Sequence, residues 1–293
     1  MIVTRRAGAL HLVEQVEHGR IAGELAAAWG NDRFEAPTPG AAVRTAAARH
    51  DEGWRAWDAR VLFNELERRP LHFLEIDASE HVRLYRTGVE RVALGDVYAG
   101  VLVGMHWTGL YRGRWSAPGA RGRLDLGADG RAAQDAAVDA EERRWIAAKR
   151  LAWTASEPRA VFEARLWHNF ALLQLWDLLS LYLCVMPSAP APTPAPARAW
   201  GPQLAALDHA AEDVLLPAVR TSPAGADERI TVGVRVPGVV WLDPYPFHDP
   251  AGVAVDVVSA AVPDRPYTHA ELAALVGRTP ATVTTWRLAP WSR

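Results

Sequence analysis

The chain has 293 residues, 49% apolar and 23% charged, enough to bury a sizeable core with room for a smaller second unit. Its net charge of −2 gives no electrostatic ground for nucleic acid or an anionic membrane as the main partner. The single cysteine, Cys184, excludes an internal disulfide framework and a thiolate-rich metal site, and with no run of about 18 uncharged apolar residues and no signal-peptide core in Met1 to Arg6, a cytoplasmic protein is expected.

In chain order, residues 2–15 read as a hairpin, Ile2 to Arg5 and Ala9 to Val13 around Ala7-Gly8. Helices are expected from about Glu17 to Val185. The first carries His18 on a face with Ile21, Ala22 and Leu25 and stops at Gly30-Asn31. A second, ending near Gly53, aligns His50 with Val43, Ala46 and Ala47 and places Asp51 next to it. After an irregular stretch, 55–77, a third helix begins behind Ser79 with His81 in line with Leu84 and Tyr85. A fourth, Tyr98 to Leu110, follows the N-cap Asp96 and sets His106 above Ala99, Leu102 and Val103. Residues 113–131, rich in Gly, Arg and Pro, read as a surface loop, and two long helices follow at about 132–155 and 158–185, with Ser156 as a cap.

Pro187 to Pro202 is Pro/Ala-rich and reads as an extended connector or strap. Beyond it, Arg229 to Pro237, Val239 to Leu242 and Val253 to Val258 are strand candidates, split by Asp243-Pro244-Tyr245-Pro246-Phe247. Tyr267 to Trp286 has the outline of a helix-turn-helix with Gly277 in the turn. Its second half, Ala281 to Leu288, is β-branched and alternating and fits a final strand better, and Arg278, Arg287 and Arg293 are too few for a basic DNA-facing cluster. The expected layout is an α-helical unit with the hairpin at 1–186, a connector at 187–202 and a small α/β part at 203–293 packed on the helices. The fold class is mainly α: a helical bundle with a small antiparallel sheet from the C-terminal strands, which the N-terminal hairpin can join.

One residue departs from this pattern. Asp177 sits in the apolar run Ala171 to Leu183, with Phe170, Leu173 and Leu181 on its own helix face. A carboxylate there is costly unless it is paired or bound to a metal. Imidazoles on buried faces of four other helical stretches, His18, His50, His81 and His106, are the ligands that Fe, Mn, Zn or Mg accept where no thiolate is available. A lone histidine on an apolar face is more often a hydrogen-bonded core residue, so the set carries the inference rather than any member. His168, nine residues before Asp177, lies half a turn away and falls outside the set. His72, His209, His248 and His269 fall among loop residues and are expected to be exposed.

The order His18, His50-Asp51, His81, His106, Asp177, over roughly 16–185, resembles the HD superfamily of all-helical metal enzymes, in particular its dinuclear members. The stretches Met1-Ile2-Val3, His50 to Trp54, Met105 to Tyr111 and Asp243 to Phe247 also resemble a bacterial family of unknown function, which brings no activity with it. The HD resemblance implies two divalent ions, one held by His18, His50, Asp51 and Asp177 and one by Asp51, His81 and His106, with Asp51 bridging and acting as a catalytic group. Where dinuclear members follow the pair with glycine and lysine, Gly53 is present but Trp54 stands in the lysine's place. Arg86 and Arg112 are then the first choices to contact a small anionic substrate. The expectation is a metal-dependent hydrolase of a small phosphorylated or phosphodiester substrate. The alternatives are a di-iron oxygenase cleaving a C–C or C–P bond, or a catalytically inactive interaction or DNA-binding protein.

Overall fold

The computed structural model of the chain describes residues 1–114, 127–187, 197–199, 207 and 212–291. It opens with the hairpin β1 (Ile2–Arg6) and β2 (Ala9–Val13), followed by helices α1 (Gln15–Ala28), α2 (Gly40–Arg49) and the short α3 (Arg55–Asp58). A two-stranded ribbon, β3 (Phe63–Asn64) and β4 (Arg69–Pro70), precedes the long helices α4 (Ala78–Gly95), α5 (Val97–Arg112), α6 (Gly127–Ala152) and α7 (Arg159–Val185). The C-terminal part supplies β5 (Arg198–Ala199), β6 (Val214–Leu215), β7 (Val219–Arg220), β8 (Asp227–Glu228), β9 (Thr231–Val236), β10 (Val239–Asp243), β11 (Val253–Pro263), α8 (His269–Val276) and β12 (Thr282–Pro290).

The expected small antiparallel sheet is corrected here: the strands form one curled, mixed sheet in the order β1-β2-β11-β12-β10-β9-β6-β5. β12 inserts between β11 and β10, antiparallel to the first and parallel to the second. The far half of β11 pairs with the hairpin, Ala260 opposite Leu12 and Val262 opposite Leu10. That half was not anticipated, because Ser259-Ala260-Ala261 lacks the β-branched bulk that marks a strand. The hairpin and the C-terminal strands therefore share one sheet, and the segment after α8 is a strand rather than a second DNA-binding helix. Residues 115–126 of the loop expected at 113–131 and most of the Pro/Ala-rich connector lie outside the described residues, and α6 begins at Gly127, within the span expected as loop.

The helical layer is built on α5 and α7, whose side chains are buried almost all round. Asp96 caps α5 as expected, accepting from the Ala99 amide at 2.9 Å, and Asp77 caps α4 by accepting from Ser79 at 2.8 Å. Ser156 does not cap α7, which starts behind Pro158 without a side-chain cap. The main core joins these helices to one face of the sheet, with Trp54, Trp107, Trp176 and Trp286 fully buried. A smaller cluster of Val3, Leu10, Leu12, Val262, Tyr267 and Leu272 sits under α8. Among the described residues no helix is long and apolar enough to cross a membrane.

Two close approaches bring the site residues together. α1 and α2 meet at Gly23, where an added Cβ would lie 2.6 Å from the Ala48 Cβ. After α2 the chain turns at Asp51 (φ −105°, ψ 24°) into a single 3-10 turn, Glu52–Trp54, which packs through Gly53 onto α4. A Cβ on Gly53 would fall 1.8 Å from the Leu84 carbonyl oxygen, backbone that cannot step aside. Gly53→Ala is expected to cost about 2–4 kcal/mol of stability in urea unfolding, by overpacking. Gly95→Ala, at a position with open space, is expected to leave the midpoint unchanged or slightly raised.

Candidate metal centre

The site is assembled from the ends and buried faces of four helices. His18 lies one turn into α1, whose N-terminal amides are capped from outside: Asp58 Oδ2 accepts from Gln15 N at 2.7 Å and from Val16 N at 3.3 Å. His50 is the C-cap of α2 and Asp51 follows it in the turn, not inside a helix as the sequence suggested. His106 and Asp177 lie mid-helix on α5 and α7. All five are between 1% and 3% exposed.

The ligand atoms converge. His18 Nε2 is 3.0 Å from Asp51 Oδ2, and His50 Nε2 is 3.4 Å from Asp177 Oδ1 and 3.9 Å from Asp51 Oδ2. His106 Nε2 is 3.9 Å from Asp177 Oδ2. Two groups, His18-His50-Asp51 and His50-His106-Asp177, each hold their ligand atoms within 4.8 Å of one another. Atoms about 2.0–2.2 Å from a shared ion lie roughly 3.0–3.5 Å apart, so the shorter separations already match and the longer ones need only small closures. The grouping differs from the one the resemblance implies, since His106 joins His50 and Asp177 rather than Asp51 and His81.

The hydrogen bonds behind the rings fix which nitrogens face inward. The Ser180 hydroxyl donates to the Asp177 carbonyl at 2.8 Å, so it can only accept from His18 Nδ1, 2.9 Å away. His50 Nδ1 donates to the Ala47 carbonyl at 2.8 Å. Each ring thus uses its Nδ1 proton on the scaffold and turns Nε2 towards the carboxylates, the arrangement that orients imidazole ligands at metal sites. His50 Nε2 and Asp51 Oδ1 are buried without a hydrogen-bond partner, and His18 Nε2 meets a carboxylate oxygen. A cation or extra protons must sit among these acceptors.

The electrostatics say the same. Burial works against a charged His50, but Asp51 and Asp177 outweigh it and push its pKa up to about 9. Burial works against a charged Asp51, but His50 and His18 outweigh it and hold the carboxyl below the usual range. Burial, partly offset by Asp177, leaves His106 at about 4, a neutral imidazole with a lone pair available. The chemistry of the donor set, imidazole and carboxylate without thiolate, fits a divalent ion such as Zn, Mn, Fe or Mg.

His81 stands apart from both groups. Its Nδ1 and the Tyr111 hydroxyl are hydrogen-bonded, and Tyr85, Tyr111 and Trp54 surround its ring at centroid distances of 4.7, 5.6 and 5.7 Å. Burial lowers its pKa to about 4, and it feels the charges of Asp51 and His106, so it lines the same region one layer out. Arg86 and Arg112 do not converge on the cluster. Arg86 is exposed and acts on Glu141 of α6, while Arg112 is spanned by Asp139 and Glu142 on the same helix. Charged side chains on neighbouring exposed faces found each other first.

The sequence reading missed Gln15, Tyr85 and Ser180 as members of the site. Gln15 Nε2 donates to Asp51 Oδ2 at 3.2 Å, and the Tyr85 phenol, raised by burial and then by Asp51 and Asp177, faces the Asp51 carboxylate. Gln15 and Ser180 sit three residues from His18 and Asp177, and Tyr85 four from His81, on the same helix, the spacing that shares a face, and that spacing was the available signal. Thr108, by contrast, turns back on its own helix to the Gly104 carbonyl. Of the other histidines, His248 and His269 are exposed, His209 lies outside the described residues, and His72 is buried, capping the turn at Phe73–Glu75.

A family profile described as a protein of unknown function, DUF3891, matches residues 1–264. No curated protein and no solved structure matches the chain.

His168 supplies a pH test independent of the cluster. It is 6% exposed, neither ring nitrogen has a partner, and burial followed by the charge of Arg220 lowers its pKa to about 4. Protonation is thus favoured in the unfolded chain, and stability falls as pH drops from about 6.5 towards 4. His168→Leu is expected to lose on the order of 1–2 kcal/mol less than the parent between pH 7 and pH 5, read from urea midpoints.

Proposed function

We propose that this chain, which belongs to the DUF3891 family, is a metal-dependent hydrolase of a small phosphorylated or phosphodiester substrate, of the HD type. The observation that carries the reading is the convergence of His18, His50, Asp51, His106 and Asp177 on one buried point with their Nε2 and carboxylate atoms facing one another. The ligands of an ion would be drawn from the two groups that share His50, His18-His50-Asp51 and His50-His106-Asp177, with His81 one layer out on the side where a second ion would bind. A divalent ion bound there would lower the pKa of water and polarise a phosphoryl oxygen.

The chain's own groups account for the rest. Ser180 and the Ala47 carbonyl hold the His18 and His50 rings in the tautomer that leaves Nε2 free, and Gln15 steadies Asp51. Tyr85, Trp54 and Trp107 wall the site from water, which strengthens every charge interaction inside. The Trp54 indole N–H is buried without an acceptor on a ring packed against His81, and it would serve as a donor to a substrate oxygen in place of the missing lysine. Arg55, Arg112 and Arg114 are engaged by Glu52 and Glu142, so the substrate's negative charge would be met by the metal ions.

That aromatic wall also favours a second reading, a di-iron oxygenase acting on a small polar substrate, because such a site needs shielding more than it needs a phosphate-binding cation. Elemental analysis of anaerobically purified protein separates the two. Zinc, manganese or magnesium with phosphoester turnover in the absence of oxygen is the expected result. Iron with oxygen consumption selects the second reading, and no metal after reconstitution defeats both. Asp177→Ala is expected to abolish metal content, whereas His81→Ala retains at least one equivalent. Trp54→Phe is expected to leave the metal in place and raise KM about tenfold, the loss of one hydrogen bond to a charged group.

A further inference from the structure

A polar cavity open to solvent lies at α7's C-terminal end. It offers about 250 Å³ between that helix end and the sheet, and its floor is one face of four adjoining strands. The strand register sets the floor: His11 on β2 is opposite Ala261, Ser259 on β11 is opposite Thr282, and Val257 is opposite Thr284 on β12. The Trp286 indole donates to the Leu183 carbonyl at 3.0 Å and closes the inner end. Cys184 lies seven residues beyond Asp177, about 10 Å along the helix, so the cavity is separate from the metal cluster.

Among the described residues its lining holds donors and no carboxylate. The Arg6 side chain reaches in from β1, and its Nη2 donates to the Cys184 carbonyl at 2.8 Å. Its Nε is buried without any acceptor. A guanidinium keeps its charge in a protein, so Arg6 is a cation half-removed from water, and among the described residues its hydrogen-bond partner is a helix-end carbonyl. Glu17, the acidic group closest to Cys184 in effect, is already engaged by Arg20 at 2.7 Å and by the Val258 amide at 3.0 Å. Thr282 spends its hydroxyl proton on the Ser259 carbonyl at 3.1 Å, so the Ser259 hydroxyl donates to the Thr282 oxygen at 3.2 Å, which leaves the Thr284 hydroxyl and the His11 ring as further donors.

We propose that this cavity binds a small phosphate-type oxyanion, with Arg6 as the charged donor and Thr284 and His11 completing its shell. The donors come from β1, β2 and β12 and so approach from several directions. A tetrahedral oxyanion has acceptors on all sides, whereas a planar carboxylate presents two oxygens in one plane to a single fork. The volume holds a phosphate with a small organic remainder and is below the range of about 300–1,000 Å³ usual for larger ligands. The helix-end contact holds Arg6 Nη2, so the guanidinium that lines the cavity is positioned before an anion arrives.

Isothermal titration of the purified chain with inorganic phosphate, with acetate as the planar control, tests this. One phosphate per chain is expected, with acetate weaker. Arg6→Gln is expected to weaken phosphate binding by about tenfold or more, the loss of a charge-assisted hydrogen bond. Thr284→Val, at an exposed strand position that leaves folding intact, is expected to weaken it several-fold, so the test stands even if Arg6→Gln fails to fold. Asp51→Asn is expected to leave phosphate binding unchanged. The proposal is overturned if wild type binds no phosphate at tens of millimolar, if Thr284→Val and Arg6→Gln bind as wild type does, or if acetate binds equally well. Loss of binding in Asp51→Asn alone would put the anion at the metal cluster and overturn it as well.

Discussion

Two carboxylates, Asp51 and Asp177, are buried within the helical core, and the need to neutralise them organises the middle of the molecule. Removing a carboxylate from water costs several kcal/mol, and a helix such as α7 supplies only apolar neighbours and its own satisfied backbone. The compensation comes from other elements: His18 from α1, His50 from the end of α2 and His106 from α5. Those elements are held at the required separation by close backbone approaches, Gly23 against Ala48 and Gly53 against α4. A cluster that is this demanding electrostatically and this rigid in its surroundings is suited to bind a cation without reorganising.

The same α7 helix connects both polar regions. Its middle carries Asp177 and Ser180 towards the histidines, and its C-terminal carbonyls meet Arg6 and Trp286 from the sheet. The sheet is more than a cover for the helices. By pairing β2 with β11 it brings a residue from the start of the chain, Arg6, beside strands from the end, and so makes a polar cavity that no contiguous segment contains.

The arginines illustrate how surface electrostatics limits what proximity in sequence can mean. Arg112 is six residues from His106, yet its guanidinium is bound by acidic residues of α6 on the outer face. A long, strongly hydrated side chain gains little by entering a closed aromatic site and loses little by pairing at the surface. The residues that do surround the ligands are short or aromatic, Ser180, Gln15, Tyr85 and Trp54, and their side chains pack as well as they hydrogen-bond.

The sequence by itself determined the burial of Asp177 and the inward faces of His18 and His106, because a polar residue in a regular apolar pattern has one direction to point. The same periodicity located the long helices and the final strand after α8, and the Asp96 cap needed only local chemistry. The tertiary structure decided what periodicity does not encode. It ended α2 before His50 and turned Asp51 inward, because Gly53 docks on α4 some thirty residues on. It moved His106 into the group with Asp177, held His81 one layer out through Tyr111, and extended β11 to recruit the hairpin. Each of these outcomes depends on contacts between segments far apart in the chain, where packing and the pairing of buried charge outweigh local preference.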